Sequence, residues 1–480
     1  MTPLADGISV FVQMACPTCE TIGPVVDEIA RRLEADGVPV RYVSQDGPYR
    51  DGAVEVVEDR DLRLSFLAEI EAVPTLVVVE NGAESARVVG WERTAWEAAV
   101  GLDGLGDGIV GHRPGCGSLS VDPTRVAGLE ARFGNRITSR RIEIGAAEDP
   151  VEAAFERGWT DGLPVVVPTA ERVAAMLAGT TRAADEVVAV VPPDLVECSV
   201  EKVAVNAVMA GCRPEYLPVV LTALEAVCTE EFNMHGLLAT TMPNGPVFVV
   251  NGPLAERIGM NSGAGVLGPG NRANSTIGRA VQLVIRNVGG GRPGEIDMST
   301  HGSPAKYGLC FAEAEATSPW EPLSVDRGFE SGVSTVTAFG GEAPRVIADQ
   351  LSRDAESLTR SLAACIKAAV HPKVGLVLDA LLVVSPEHAA RFAAAGWSRQ
   401  RLTHELTTLL VMDGDDMIRG AGGIAEGMAD TFAGQPVPKL RPGGLLITHA
   451  GGTAGLFSAL IPSWGSGPGG TQFVTKEIRP

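Results

Sequence analysis

Basic residues and aromatics are both scarce: 39 Lys and Arg stand against 59 Asp and Glu, a formal net charge of −20, and Phe, Trp and Tyr make up 5% of 480 residues. That balance argues against a phosphate-backbone partner, because nucleic-acid binding depends on a Lys/Arg footprint. Long apolar runs are missing as well, and no stretch approaches the roughly 20 residues needed to span a bilayer. The opening MTPLADGISVFVQMACPTCE lacks the basic region, apolar core and small-residue cleavage site of a secretory signal. Cysteine is too sparse, at eight, for a disulfide scaffold in a chain of this length. The expectation is a cytoplasmic protein with neither nucleic acid nor membrane as partner. No internal repeat or low-complexity tract stands out.

A hydrophobic share of 45% and 57 glycines describe a globular chain rich in tight turns, and the length calls for more than one domain. The clearest local pattern comes first. Residues 8–12, Ile-Ser-Val-Phe-Val, read as a short buried strand running into Cys16-Pro17-Thr18-Cys19 and an amphipathic stretch to Leu33. A second extended run follows at 39–44, then a polar stretch and a short helix ending near Ile70. Val73-Pro74-Thr75 opens a β-branched strand, with Asn81-Gly82 as the hairpin turn into residues 86–90.

This order resembles the thioredoxin family over residues 7–103, through the CPTC motif and Val73-Pro74-Thr75 before the penultimate strand. The resemblance implies that Pro74 is a cis-proline beside the dithiol. Ala15 stands where the family usually has Trp, and Pro-Thr fills the tetrapeptide. At a helix N-terminus the exposed N–H groups favour thiolate over thiol, which makes Cys16 the expected nucleophile. Cys19, one turn on, would resolve the mixed disulfide. A half-zinc site is the bland alternative, and no second CxxC completes it.

Residues 104–117, GLGDGIVGHRPGCG, read as a glycine-rich linker carrying a thiol. Cys116 is expected to relay electrons or to act as a resolving thiol, with His112 four residues before it to lower its pKa, or else to be incidental. The expected domains are therefore a redox domain at 1–103, a linker and connecting segment at 104–159, and an α/β catalytic domain at 160–480. The fold class is α/β: a thioredoxin-like N-terminal domain plus a large α/β C-terminal domain, in which apolar β-branched runs alternate with helical stretches.

In that larger domain glycine-rich turns fall where strands should end, and such loops build ligand sites in open α/β sheets. Residues 263–280, GAGVLGPGNRANSTIGRA, offer consecutive amides with Asn271, Arg272 and Asn274, and a helix is expected from about Ser275. Asn251, before Gly252-Pro253, is a further substrate-binding candidate. The segment lacks the Gly-Lys-Ser/Thr of a Walker A loop, and a turn-rich connection explains it equally well. Residues 297–322 hold the other dense set: His301 and Lys306 as acid/base groups, Cys310 as a thiol and Glu313 as a carboxylate. With His235 they offer a His/His/Glu set for a divalent metal, the only cofactor in view, although the spacing matches no metal signature. Cys198 and Cys212 flank one helix near Lys202 and Arg213, with small buried hydrophobes as the plainer reading.

Residues 197–219, 268–280, 301–310 and 318–323 resemble proteins related to the UGSC (seleno)protein family, named for a selenocysteine-Gly-Ser-Cys motif, over about residue 161 to the end. The nearest match to that motif is Cys116-Gly117-Ser118, with Leu119 where the last cysteine belongs. An alternative alignment places Gly452-Thr453-Ala454-Gly455 there.

Together these readings favour a thiol-dependent enzyme, in which the CPTC dithiol supports redox or sulfur chemistry, such as carbon–heteroatom cleavage, on a small-molecule substrate in the C-terminal domain. A cellular thiol would be its reductant, and homo-oligomerisation is left open. The alternatives are a metal-dependent lyase or hydrolase using His235, His301 and Glu313, or a non-enzymatic redox sensor. For the preferred reading, Asn271, Arg272, Asn274, His301, Lys306 and Cys310 should converge on one cleft, with His235 nearby.

Overall fold

The computed structural model describes residues 3–50, 52–134, 137–145, 147–369, 371–465 and 469–479. The chain is α/β and divides into two compact units, Met1–Thr138 and Ser139–Pro480. No helix among the described residues is long and apolar enough to cross a membrane.

The first unit begins with β1 (Gly7–Val12), α1 (Pro17–Leu33), β2 (Val40–Ser44), β3 (Glu55–Glu58), α2 (Arg63–Leu67) and β4 (Ala72–Val73). It continues through β5 (Thr75–Glu80), β6 (Ala83–Val89), β7 (Trp91–Glu92), α3 (Arg93–Val100), β8 (His112–Arg113), β9 (Cys116–Gly117) and α4 (Val126–Phe133). Five strands make one mixed sheet in the order β3-β2-β1-β5-β6. The β1–β2 and β2–β3 pairs are parallel, whereas β5 runs antiparallel to both β1 and β6. The central β1 is buried at every residue, which is why its sequence is an apolar run with little alternation. Ile22, Val25, Val26 and Ile29 lie on one stripe of α1, and that stripe joins the core formed by the sheet.

The glycine-rich segment is not a linker. Leu105 is fully buried, Trp91 Nε1 donates to the Val110 carbonyl at 2.7 Å, and Arg93 Nη2 donates to that of Gly106 at 2.8 Å. β8 then pairs with β7 and β9 with β4, both antiparallel. The glycines serve close approach: a Cβ on Gly90, at φ +74°, would lie 2.9 Å from the Arg113 carbonyl oxygen, and one on Gly115 would lie 3.0 Å from that of Val73. The first unit therefore extends well past residue 103.

The second unit opens with α5 (Pro150–Glu156), α6 (Ala170–Leu177), the hairpin β10 (Val187–Val191) and β11 (Val196–Ser199), α7 (Val200–Ala210), α8 (Leu217–Val227) and α9 (Met234–Ala239). Next come β12 (Gly245–Asn251), α10 (Pro253–Arg257), α11 (Arg272–Asn287), β13 (Leu309–Ala312), α12 (Leu323–Asp326), β14 (Thr335–Gly341) and β15 (Arg345–Ala348). The remainder is α13 (Ala355–Lys367), β16 (Leu378–Val384), α14 (Pro386–Ala394), α15 (Arg399–Leu409), β17 (Val411–Asp413), α16 (Gly414–Met417), β18 (Pro436–Pro438), β19 (Leu445–His449), β20 (Phe457–Gly465) and β21 (Val474–Glu477).

Its main sheet consists of two halves joined where β14 meets β20, at Gly341 opposite Ser463. The halves are built alike. In one, β12 is parallel to β13 and antiparallel to β14; in the other, β16 is parallel to β19 and antiparallel to β20. Setting aside α12 in the first half and the β17–α16–β18 insertion in the second, both follow the order helix, strand, two helices, strand, strand, an internal structural repeat that the sequence conceals. Val247, Val249, Phe311 and Phe339 of one half meet Leu381, Val383, Leu446 and Ile461 of the other in a shared core. The alternate residues Ala380, Leu382, Val384, Leu445 and Ile447 face the opposite way, onto α13, α14 and α15. On the first half's outer side, α8 and α11 pack against β12, β13 and β14. The result is four layers, helix on sheet on sheet on helix, rather than a single open sheet. Strands covered on both faces need apolar side chains at odd and even positions alike, hence their unbroken apolar sequences.

Candidate functional site

In the first unit, Cys16 is the N-cap of α1 with extended backbone angles, and Pro17, which has no N–H to lose, opens the helix. Cys16 Sγ accepts from the Cys19 amide at 3.3 Å and donates to the Val73 carbonyl at 3.5 Å. The Val73–Pro74 peptide is cis. The sulfur thus lies between a helix N-terminus and the backbone just before Pro74. Cys19 is fully buried, and that burial pushes its thiol well above the ordinary range, with the neighbouring Cys16 adding to the effect. Tyr49 Oη donates to the Cys19 carbonyl at 2.6 Å.

Cys16 is itself only 2% exposed. Its cover is the segment around Cys116. The antiparallel β4–β9 pair sets Cys116 opposite Val73 and Gly117 opposite Ala72, and the Cys116 thiol is within hydrogen-bonding reach of Cys16. That hydrogen bond raises the Cys116 pKa, with partial burial as a second cause. Thr18 Oγ1, in the first turn of α1, donates to the Pro114 carbonyl at 2.9 Å. Cys116 is half-buried, so three sulfurs gather here and the most exposed one belongs to the expected linker.

A buried polar network holds this arrangement, and sequence reasoning missed it. Gln13 Nε2 donates to Gln45 Oε1 (2.7 Å) and to the Gly117 carbonyl (3.2 Å); Gln45 Nε2 donates to Ser118 Oγ (2.7 Å) and Ser65 Oγ (2.8 Å). Ser65 Oγ in turn donates to Asp59 Oδ2 at 2.6 Å, and Ser120 Oγ to the Ile70 carbonyl at 2.6 Å. A signal did exist: Gln13 and Gln45 each follow an apolar strand directly, and a buried polar side chain at a strand end needs partners.

In the second unit the expected cleft does not assemble. Lys306 abuts the start of β12, where a Cβ on Gly245 would lie 3.2 Å from the Lys306 Cα. The backbone before His301 is bound beside residue 241, with the Thr300 amide donating to the Thr241 carbonyl at 3.0 Å. Glu313 and Asn251 instead sit at the carboxyl ends of β13 and β12, where the Glu313 amide donates to the Val250 carbonyl at 3.1 Å. A strand rises about 3.3 Å per residue, so the length of β12, roughly 20 Å, separates the two groups. His301 and Glu313 therefore cannot share one metal, and among the described residues no group of three or more His, Cys, Asp or Glu is placed to hold one. His235 is exposed on α9.

The other candidates have structural duties. Lys306 Nζ is bound to both carboxylate oxygens of Asp297, at 2.8 and 2.9 Å. Cys310 is buried beneath Gly278 of α11, and burial raises its thiol far above neutrality. Cys198 and Cys212 are each pushed up to about 12 by burial, which outweighs Lys202 at the first and Arg272 and Arg279 at the second. Asn271 caps α11, which starts at Arg272, by accepting from the Asn274 amide at 3.1 Å, and its Nδ2 donates to the Gly259 carbonyl at 2.8 Å. Asn274 Nδ2 donates to the Asn261 carbonyl at 2.8 Å, and Arg272 Nε to that of Gly211 at 2.8 Å. The glycine-rich loop thus spends its polar groups on its own folding.

Glu313 is the centre of a clasp between the two halves. Its Oε2 accepts from Asn251 Nδ2 and from the Leu323 amide, both at 2.6 Å. Its Oε1 accepts from Arg399 Nη2 at 2.7 Å and from the His449 amide at 3.2 Å. Asn251, Leu323 and Glu313 belong to the first half, Arg399 and His449 to the second. With four donors and no solvent contact, the carboxylate is engaged as a fixed acceptor rather than as an acid/base group. Burial lowers the pKa of His449 and so favours its neutral ring.

No model of a known protein family matches the chain, and no curated protein matches it.

Proposed function

We propose that the protein is a thiol–disulfide oxidoreductase whose working pair is Cys16 and Cys19, on a thioredoxin-like first unit. One observation carries the reading: Cys16 Sγ caps α1, receives the Cys19 amide at 3.3 Å and lies 3.5 Å from the carbonyl that precedes Pro74. A helix N-terminus turns its free N–H groups toward the capping sulfur, which sets Cys16 as the attacking atom of the pair. Exchange then runs in two balanced steps. The Cys16 thiolate attacks a target disulfide and expels one target thiolate; Cys19 next attacks Cys16 Sγ, forming the Cys16–Cys19 bond and releasing the second target thiol. A high Cys19 pKa suits the resolving role, because the sulfur stays protonated until Cys16 needs it. A cellular dithiol or glutathione would return the pair to the reduced form.

On the same reading, the second unit would hold the small molecule on which the thiol chemistry acts. A metal-dependent lyase built on His235, His301 and Glu313 loses its basis, since Glu313 lies the length of β12 away from His301.

The test is reduction of a generic protein disulfide, such as that of insulin, by the full chain with dithiothreitol as terminal reductant. Cys16→Ser should lower the rate to background, and the double variant Cys19→Ser/Cys116→Ser, with both neighbouring thiols removed, should accumulate a mixed disulfide through Cys16. Wild-type turnover by Cys16→Ser would overturn the assignment.

A further inference from the structure

The cover over Cys16 has the form of a bound peptide. β4 is a two-residue strand that immediately precedes Pro74, and an extended segment can add to the edge of such a strand through main-chain hydrogen bonds. The chain supplies that segment itself: β9 pairs antiparallel with β4, so that Cys116 is the residue directly across from Val73. Directly opposed residues in an antiparallel pair lie about 4.5–5.5 Å apart at Cα. Val73 is also the residue whose carbonyl accepts from Cys16 Sγ. The backbone that positions Cys16 therefore positions Cys116 as well.

Both flanks of Cys116 are tied down. Upstream, Thr18 Oγ1 holds the Pro114 carbonyl, and Gly115 passes so close to Val73 that a Cβ there would lie 3.0 Å from the Val73 carbonyl oxygen, tighter than ordinary contact. Downstream, the Ser118 amide donates to the Glu71 carbonyl at 2.9 Å, and Gln13 and Gln45 hold Gly117 and Ser118. Such anchoring exceeds what a linker requires. Cys16 is sealed while Cys116 keeps contact with solvent.

We propose that Cys116 is a third redox thiol that occupies the substrate position of the CPTC site and exchanges with it, so that the oxidised unit interconverts a Cys16–Cys19 and a Cys16–Cys116 disulfide. This rests on the dithiol reading above and adds the route by which the buried pair meets the outside. In the exchange the Cys116 thiolate attacks Cys16 Sγ. The Cys16–Cys116 bond forms, the Cys16–Cys19 bond breaks, and its electron pair leaves on Cys19, which takes up the proton shed by Cys116. No net oxidation occurs and no further reductant is consumed. The pairing makes this a reaction within one chain, with an effective concentration in the millimolar range or above, against which free glutathione competes poorly.

The experiment uses the full chain with Cys365→Ser throughout, since Cys365 is exposed on α13 and would otherwise react first. Cys19→Ser is oxidised with glutathione disulfide, digested without reduction and mapped by mass spectrometry. The expected product is a Cys16–Cys116 disulfide exceeding glutathione-modified Cys16 by at least roughly tenfold. Glutathione on Cys16 with Cys116 still free to alkylate, or no modification of either, overturns the proposal. The companion variant Cys116→Ser, checked for folding by circular dichroism, separates the two ideas. If it still closes Cys16–Cys19, the dithiol reading stands whatever becomes of Cys116; if Cys16–Cys19 forms neither there nor in the parent chain, that reading itself fails.

Discussion

Replacing Arg399 by Met should destabilise the second unit by about 3 kcal/mol, toward the lower end of the roughly 3–5 kcal/mol measured when one partner of a buried ion pair is removed. Arg399 is 4% exposed at its side chain and bridges two carboxylates, Glu313 Oε1 and Asp326 Oδ2, each at 2.7 Å. Methionine fills much of the volume but leaves Glu313 charged at zero exposure. The lower figure follows because three donors remain to that carboxylate, from Asn251, Leu323 and His449. At about 2.1 cal/mol/K of unfolding entropy per residue over a unit this long, the melting point should fall by about 4 °C. Arg399→Lys should cost less, about 1–2 kcal/mol, since it keeps the charge and loses the fork that spans both carboxylates. Urea titration followed by tryptophan fluorescence is a suitable assay. Trp320 lies under the Arg399 guanidinium at 5.8 Å and donates from Nε1 to the Trp397 carbonyl, so the probe sits beside the perturbation. If Arg399→Met unfolds within about 0.5 kcal/mol of the parent, the clasp is not what joins the two halves.

A fragment of residues 1–138 should unfold cooperatively, whereas 1–103 should lose at least about 3 kcal/mol or fail to fold, because it lacks Leu105 from the core, the Val110 partner of Trp91 and the β9 cover; equal stability of the two in denaturant would refute the boundary. Lys439 is buried with the His371 carbonyl as its hydrogen-bond acceptor, and burial brings its ammonium down to about 8. Below that pH both folded and unfolded chains are protonated and the folded state bears the full cost. Between pH 8 and the ordinary lysine range the unfolded chain binds the extra proton, so stability rises with pH. The wild type should therefore gain on Lys439→Met between pH 8 and pH 10 in parallel denaturant titrations, and a constant difference would refute the assignment.

The local chemistry of the first unit was legible in the sequence because each of its signals is short-range. An apolar β1, a helix opened by Cys16-Pro17, and Val73-Pro74 before another apolar strand all act within a few residues, and they imply a strand, a capped helix and a dithiol at its end. The α/β class was legible for the same reason: apolar runs of strand length alternate with helical stripes. Residues 104–117 misled because glycine reports only that the backbone is unrestricted. Flexibility and tight packing use the same residue, and only the approach of Arg113 to Gly90 and of Val73 to Gly115 distinguishes them.

In the second unit the polar residues crowded between 297 and 322 looked like one site, yet a strand running through that stretch carries its two flanks to opposite ends of a sheet. Proximity in sequence became separation in space. The reverse holds for Glu313 and Arg399, 86 positions apart and joined at 2.7 Å, and for Cys16 and Cys116, a hundred residues apart in sequence and brought together by a two-residue strand pair. Sequence by itself determined which segments would be strands and helices and which cysteine would cap a helix, since those depend on local dihedrals and period. Which polar groups meet depended on sheet order, on the duplication of a half-sheet and on strand pairing, and these arise from burying apolar faces against each other over distances that no local pattern encodes.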